Sequence, residues 1–423
     1  MPHLEDKEVW FGELPEGWSA IRIKRLADIN NGLTYSPENL SDHGTPVLRS
    51  NNIRNGKLDK TDLIYVDLDI PDKAKAARGD VLICSANGSK KLIGKSAVID
   101  EDGMAFGAFM MIARPYCNSR YFYYLLNSDL FNYYLPTYLT TTINQLTVSN
   151  FGNMIVPFSD DATMQQLIAD YLDDKTGEVD GVVGKLRRQV ELLERYRREL
   201  IAHTVTRGLD PHAPMKDSGI EWLPSVPSHW EVAPGKRVFI KLQRPVKDGA
   251  ETVTCFRDGT VTLRRNRRID GFTESLQEIG YQGVEIGDLV IHEMDAFAGA
   301  IGVSDSSGKS TPVYSVCSMQ GEGSPHFFAY LLRYMARSGF IESLARGIRQ
   351  RTVDFRFKTL ATLLVAIPPY EEQRQIAAYL DRKTRDIDSA VAGIKRQIEL
   401  LGDYRKQVIN DAVTGKIRVG EVA

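Results

Sequence analysis

The sequence predicts an α+β fold: two pseudo-symmetric mixed α/β domains separated by two long antiparallel coiled-coil helices. Three observations carry that expectation. Residues 165–206 recur as residues 373–414, so that Tyr171 returns as Tyr379, 208 residues on, with about 20 of roughly 45 positions identical and no gap. Both copies bear an apolar seam at heptad spacing. Ahead of each copy lie short apolar-alternating runs whose anchors also repeat.

The domains come first in chain order. Each opens on a Pro-x-x-Trp turn, with Trp10, Pro15 and Trp18 echoed by Trp222, Pro227 and Trp230. Strand-like runs follow at 20–23, 63–66, 81–84 and 95–99, and in the second half at 289–292 and 299–303. Gly79-Asp80-Val81-Leu82-Ile83 matches Gly287-Asp288-Leu289-Val290-Ile291, and Ile93-Gly94 matches Ile301-Gly302. One helix-like run sits late in each domain, at 120–130 and 324–338. The boundaries are read as 1–157 for the first domain, 158–208 for its repeated helical region, 209–366 for the second domain and 367–423 for the second helical region. Between the matched anchors the halves diverge: Ser85-Ala86-Asn87-Gly88-Ser89-Lys90-Lys91 faces Glu293-Met294-Asp295-Ala296-Phe297-Ala298-Gly299. One scaffold with different chemistry in the same loop is what two different targets require, although drift after duplication would look the same.

The helices come second. Val179, Val183, Leu186, Val190, Leu193 and Leu200 form one seam, and Ile387, Val391, Ile394, Ile398, Leu401 and Val408 the other. Charged residues such as Arg187, Glu191, Lys395 and Glu399 occupy the remaining faces. Asp173 and Asp381 precede the seams, where a carboxylate suits a helix N-terminus, and Gly208 and Gly415 follow, as glycines do one residue past a helix end. The order domain, helix, domain, helix favours an antiparallel pair, since a parallel one needs a long return connection. A helix over 178–206 spans roughly 43 Å at 1.5 Å per residue. That is a little over one turn of B-DNA, for which half-sites centre roughly 34–36 Å apart.

Composition narrows the class. A chain of 423 residues, 43% hydrophobic, can bury sizeable cores. The net charge of −2 argues weakly against indiscriminate nucleic-acid binding, though local basic clusters still suit phosphates. Cys84, Cys117, Cys255 and Cys317 stand far apart without a metal-binding spacing, as reduced thiols of a cytoplasmic protein do. No signal core and no membrane-length apolar run is expected.

Together these marks resemble the specificity subunit of type I restriction–modification systems, over essentially the whole chain. The residues that carry the resemblance are GIEWLPSVPSHWEV at the start of the second half, GDLVIHEMDAFAGAIGVSD within it and IPPYEEQRQIAAYLDRKTRDID leading into the last helix. The first half has weaker versions, with Thr163-Met164-Gln165 where Glu371-Glu372-Gln373 stands. The resemblance implies two target-recognition domains, each reading one half of a bipartite double-stranded DNA site. It implies that the helices set the spacer and dock two modification (methyltransferase) subunits, with restriction/translocase subunits joining them. The chain would then be a non-catalytic subunit, whose partners bring S-adenosylmethionine, ATP and Mg. Without the resemblance, a duplicated-domain protein-interaction scaffold would account for the same repeat.

Base edges are read by Arg or Lys on guanine and by Asn or Gln on adenine, while basic groups hold phosphates. The candidates in the first domain are Asn51, Asn52, Arg54, Asn87, Lys90, Lys91, Lys95, Thr142, Asn144 and Gln145. In the second they are Arg244, Lys247, Arg264, Arg265, Arg267, Arg268, Arg346, Arg349, Gln350, Arg351, Arg356 and Lys358. Catalytic look-alikes fail on chemistry. Ile367-Pro368-Pro369-Tyr370 imitates an amino-methyltransferase motif, but Ile cannot accept a hydrogen bond from a target amine. Gly94-Lys95-Ser96 and Gly308-Lys309-Ser310 lack the upstream glycine of a phosphate loop, and Ala296 stands where a zinc helix needs its second histidine after His292. No catalytic or metal residue is assigned.

Overall fold

The computed structural model describes residues 10–138, 144–267, 278–344 and 355–422. The chain forms two compact units, Met1–Arg188 with Lys395–Ala423, and Gln189–Ile394. Each long helix therefore contributes one part to each unit.

The first unit is built on an antiparallel four-stranded sheet in the order Ser96–Val98, Val81–Cys84, Met110–Pro115, Ala27–Asn31. Successive side chains of a strand face opposite sides, and the two central strands are covered on both. Val81, Ile83, Met111 and Ala113 join a core with Tyr121, Phe122 and Leu125 of the helix Ser119–Leu126. Leu82, Cys84, Met110 and Ile112 pack instead with Leu48, Met104 and Phe106 of a second, mixed sheet, in which Met104–Phe106 runs parallel to Thr45–Leu48. This explains why Val81–Cys84 reads as an unbroken apolar run. Trp18–Arg22 pairs antiparallel with Ile155–Ser159, and Trp10 Nε1 donates to the Ile155 carbonyl at 3.1 Å.

The second unit repeats the first sheet as Ile301–Val303, Leu289–His292, Tyr314–Met319, Phe239–Lys241, again covered by a late helix, Pro325–Arg337. After the hairpin Met215–Ile220 and Leu223–Pro227, the strand Glu231–Pro234 pairs with Leu364–Ile367. The second layer differs. Here it consists of two small ladders, Val253–Cys255 with Val261–Leu263 and Gln282–Val284 with Gly308–Ser310.

The repeated Gly-Asp pair has one physical reason in both units. Gly79 and Gly287 each sit at φ +91, and the following aspartate closes the turn. Asp80 Oδ2 accepts from Ala77 N and Asp288 Oδ2 from Glu285 N, both at 2.8 Å. Each buried carboxylate also takes an arginine fork, Arg114 on Asp80 and Arg244 on Asp288.

The long helices are longer than the heptad pattern indicates: Ala162–Arg207, 46 residues, and Tyr370–Val413, 44 residues. The first starts where the Asp161 carboxylate accepts from Thr163 N at 2.8 Å. Gly208 and Gly415, at φ +76 and +72, follow the C-termini as the sequence predicts. Asp173 and Asp381 are therefore not N-terminal carboxylates but lie well inside the helices. They tether the late domain helices, with Tyr124 Oη donating to Asp173 at 2.7 Å and Tyr330 Oη to Asp381 at 2.8 Å. Gln165 and Gln373, both buried, form a second repeated tether. Gln165 Oε1 accepts from Asn118 N and Gln373 Oε1 from Ser324 N, at the caps of those domain helices.

Within each unit the two helices pack antiparallel. In the first, Asp180 meets Arg405 at 3.1 Å, while the earlier Ile168 and Leu172 share a core with the later Val408, Ala412 and Val413. In the second, Arg197 lies 3.5 Å from Asp388, and the later Ile201 and Val205 join the earlier Ile376 and Leu380. Val179, Ile387, Ile394 and Val408 are buried, the other eight seam residues are half-buried, and Arg187, Glu191, Lys395 and Glu399 are exposed.

Candidate nucleic-acid interface

In the first unit the loop after Val81–Cys84 bends over the sheet and opens a cavity of about 820 Å³. Ser85 N and Ala86 N both donate to the Phe109 carbonyl, and Leu146 N donates to Ser85 O, so three separate segments are pinned at one rim. Asn51, Asn87, Asn144 and Gln145 line this cleft together with Tyr35, Arg49 and Phe109. Phe109 is 71% exposed, an aromatic face held in solvent by a rigid strand turn. Asn87 Nδ2 reaches Ser50 Oγ at 3.4 Å and Asn144 Nδ2 donates to Gly88 O at 3.2 Å, leaving Asn144 Oδ1 buried and without a partner among the described residues. Gln145 is exposed and its side-chain amide makes no hydrogen bond among the described residues.

Other first-domain candidates lie elsewhere. Asn52 is 1% exposed and is spent on structure: its carbonyl oxygen accepts from Arg49 N, and its amide donates to the Asp59 and Asp62 carbonyls. It is corrected to a turn residue. Lys95 is half-buried and donates to Ser50 O at 3.0 Å, with burial first and Arg54 next holding its pKa below the usual lysine range. It braces the cleft wall rather than facing a ligand. Arg54 is ion-paired to Asp59 at 2.8 Å, and Lys90 and Lys91 are exposed on a 3-10 turn. Thr142 lies outside the described residues.

The corresponding cavity in the second unit, about 580 Å³, has a different lining: Arg257, Asp258, Arg264, Arg267, His292 and Asp295 around Phe256 and Tyr314. Arg257 pairs with Asp295 at 2.8 Å, and Arg267 pairs with Asp258 at 2.6 Å while its guanidinium sits 4.6 Å from the Phe256 ring centroid. Arg264 Nε lies 3.4 Å from Thr254 Oγ1. His292 Nδ1 accepts from Asp295 N at 3.1 Å, so that nitrogen carries no proton. Burial lowers the His292 pKa, and the Asp295 carboxylate opposes it only partly.

Of the other second-domain candidates, Arg244 is corrected to a structural role, since its fork is committed to buried Asp288. Lys247 is exposed beside a smaller cavity and pairs with Glu285 at 2.5 Å, while Arg265 pairs with Glu251 at 2.8 Å. Arg356 precedes the short helix Phe357–Thr362, which carries exposed Lys358. Arg268, Arg346, Arg349, Gln350 and Arg351 lie outside the described residues. Sequence reasoning missed Phe109, Arg257 and Tyr314, because an exposed phenyl ring, an isolated arginine and a buried strand tyrosine have no periodicity that marks a cleft. Arg257 did sit beside the turn residues Asp258 and Gly259, the one available signal.

A family model described as "Type I restriction modification DNA specificity domain" matches residues 15–182. The putative type I restriction enzyme MjaX specificity subunit of Methanocaldococcus jannaschii is 24% identical over 439 residues, covering 98% of this chain and 96% of that subunit. Over nearly its whole length the chain is therefore similar to type I restriction–modification specificity subunits, and the family model falls on its first unit. The StySPI specificity subunit of Salmonella potsdam is 30% identical over 220 residues, 50% of this chain and 47% of that subunit. The EcoKI specificity subunit of Escherichia coli K12 is 30% identical over 203 residues, 46% of this chain and 44% of that subunit. The match thus spans about half the length of these two relatives. The fold agrees with a solved chain reported under "Structural basis underlying complex assembly and conformational transition of the type I R-M system", with TM-score 0.71, 16% identity and coverage of 96% of this chain and all of that one. It agrees also with the HsdS subunit of Thermoanaerobacter tengcongensis, with TM-score 0.53, 17% identity and coverage of 96% and 98%. No described helix is long and apolar enough to cross a membrane.

Proposed function

We propose that this chain is a specificity subunit that reads a bipartite duplex DNA target, one half-site per unit, through the two clefts described above, as a cytoplasmic, non-catalytic component. The observation that carries the reading is the contrast between the clefts. One sheet, with the same Gly-Asp turn and the same covering helix, presents amides and an exposed phenyl ring in the first unit, and arginines with acidic and aromatic supports in the second. Asn and Gln pair two-pronged with adenine, and Arg with guanine. The first unit accordingly selects an adenine-containing half-site, with Gln145 as its reader, since the Asn51 amide donates to the Asp62 carboxylate at 2.5 Å. The second selects a guanine-containing one through Arg257 and Arg267.

The helix pair is read as the docking element for two modification subunits. Leu192 and Tyr196 stand 41% and 49% exposed on the first long helix, and their repeat partners Leu400 and Tyr404 are 50% and 52% exposed on the second. Two copies of one apolar patch suit two copies of one partner. S-adenosylmethionine, ATP and Mg belong to the modification and restriction subunits in this reading. The test is selection of bound duplexes from a random library by the chain with its modification subunit. A two-part motif with fixed spacing and the base preferences above is expected. Single-part motifs, or none, would refute it.

A further inference from the structure

Adjoining the second cleft at Asp258 but with its own lining, the second unit gathers four guanidinium groups around a cavity of about 260 Å³ lined by Arg198, Arg333, Arg337, Tyr330, Tyr334 and Ser338. Arg197 is the fourth, one residue from Arg198 on the first long helix. The carboxylates are too few to balance them. Arg197 has Asp388 at 3.5 Å, and Glu199, which also borders the cavity, is shared with Arg195 at 3.6 Å. Arg333 donates to the Asp258 carbonyl, a neutral acceptor. Arg198 and Arg337 are exposed and have no hydrogen-bond or ion-pair partner among the described residues. The Nε atoms of Arg197 and Arg333 are buried without a partner among the described residues. Leaving such donors unmet costs free energy that a bound acceptor would recover. The crowding shows in the acidity of Arg333, which burial and then Arg337 pull down to about 10.

The scaffold does not require this cluster. In the first unit Tyr124 makes the bond to Asp173 that Tyr330 makes to Asp381, which fixes the correspondence of the two domain helices. Three residues beyond Tyr124, where Arg333 would fall, stands Asn127, whose amide is spent on Ser96 and the Tyr123 carbonyl. That helix ends at Leu126, so nothing there occupies the helical position of Arg337.

We propose that this arginine pocket is a phosphate site, taking an oxyanion either as a backbone phosphodiester of duplex nucleic acid or as free phosphate. Several planar forks converging with tyrosine and serine hydroxyls suit a tetrahedral anion, which accepts from many directions at once. A single carboxylate offers fewer acceptors and leaves more of the positive charge uncompensated. The site lies outside both base-reading clefts, so it adds affinity and no sequence preference.

The test uses the full chain and the double variant Arg198→Gln/Arg337→Gln, which alters the exposed rim and leaves Arg333 in place. Inorganic phosphate, against chloride at matched ionic strength, is expected to raise the melting temperature of the parent and to leave the variant unmoved. Binding of a random-sequence duplex is then measured against salt. If the ligand is a backbone phosphate, the slope of log K against log salt falls by about 1 to 2 in the variant. An unchanged slope with a lost phosphate response identifies free phosphate as the source. Identical responses of parent and variant in both arms overturn the proposal. So does a variant that loses only the binding of a polyglutamate peptide, since the pocket would then serve an acidic protein segment. A chain that binds no duplex still leaves the phosphate arm to decide, so this proposal and the DNA-reading one fail separately.

Discussion

Replacing Gln145 with alanine tests base reading at its most exposed point. The side chain stands in solvent at the rim of the first cleft and makes no hydrogen bond among the described residues. Its loss costs the fold little, within about 0.5 kcal/mol, because it opens no core and orphans no partner. A two-pronged Gln–adenine contact discriminates by about 1–3 kcal/mol, roughly 5- to 150-fold at one base position. The expected result is that preference collapses at a single position of one half-site, while the other half-site and binding to random duplex stay unchanged. The assay is competition of the assembled modification complex against duplexes carrying each base at each position, with thermal unfolding run in parallel. A uniform weakening across all sequences would place Gln145 on a phosphate and refute the reading. A loss split between both half-sites would refute the assignment of one half-site to each unit.

The remaining expectations are these. Arg257→Ala should relax one guanine position of the other half-site by a similar factor and leave the first half-site alone, read in the same competition. Asp180→Arg should destabilise by about 0.5 kcal/mol, and adding Arg405→Asp should recover it; the pair is partly exposed, so a loss of several kcal/mol in denaturant titration would contradict the role given to it. Gly415→Ala should cost about 1–3 kcal/mol, since its φ is +72 and the new Cβ would lie 2.4 Å from Pro15 Cγ, whereas Gly393→Ala, with open space around it, should stabilise by about 0.5–1 kcal/mol. Finally, His292 has its pKa depressed by burial, so the unfolded chain takes up the proton first as pH falls. Stability should be constant above about pH 6.5 and decline below it, down to the folded pKa, and His292→Gln should flatten that part of the melting-temperature profile.

How much was legible in the sequence depends on how local the signal was. The Gly-Asp strands could be read because a glycine at positive φ, a turn-closing carboxylate and a doubly buried strand leave a contiguous imprint. The seams could be read because heptad spacing survives in each copy. The start of the first long helix was placed too late, because polar Gln165 and Thr176, bonded to the domain at Ser159 O and Tyr124 Oη, occupy heptad positions ahead of Val179 and Val183, so the apolar repeat fades while the helix continues. Asp173 was misjudged for the same reason, since its partners Tyr124 and Arg120 are some fifty residues away in sequence. The clefts were half legible. Amides and cations stood out by type, yet Asn52 and Arg244 look no different from their neighbours until burial and partners are known. Five of the basic or amide candidates of the second half, with Thr142 of the first, fall on residues the structure does not describe.

The duplication also explains a feature that heptad logic alone would count as a flaw. Four residues past Leu193 the seam calls for an apolar side chain, and Arg197 stands there; four past Leu401 stands Arg405. In its own unit each arginine is half-buried and meets an aspartate of the other helix, Asp388 or Asp180, and those aspartates are themselves 208 residues apart. A purely apolar antiparallel seam can slide by one heptad with little penalty. A slide would carry each arginine into apolar surroundings and leave its aspartate without a partner, so the pair selects one register even if it adds little stability. In the proposed role, where the helices space two DNA readers, a definite register matters more than a tighter seam. Both copies keep this polar pair, while the loops after the matched Gly-Asp strands, residues 85–91 and 293–299, have diverged.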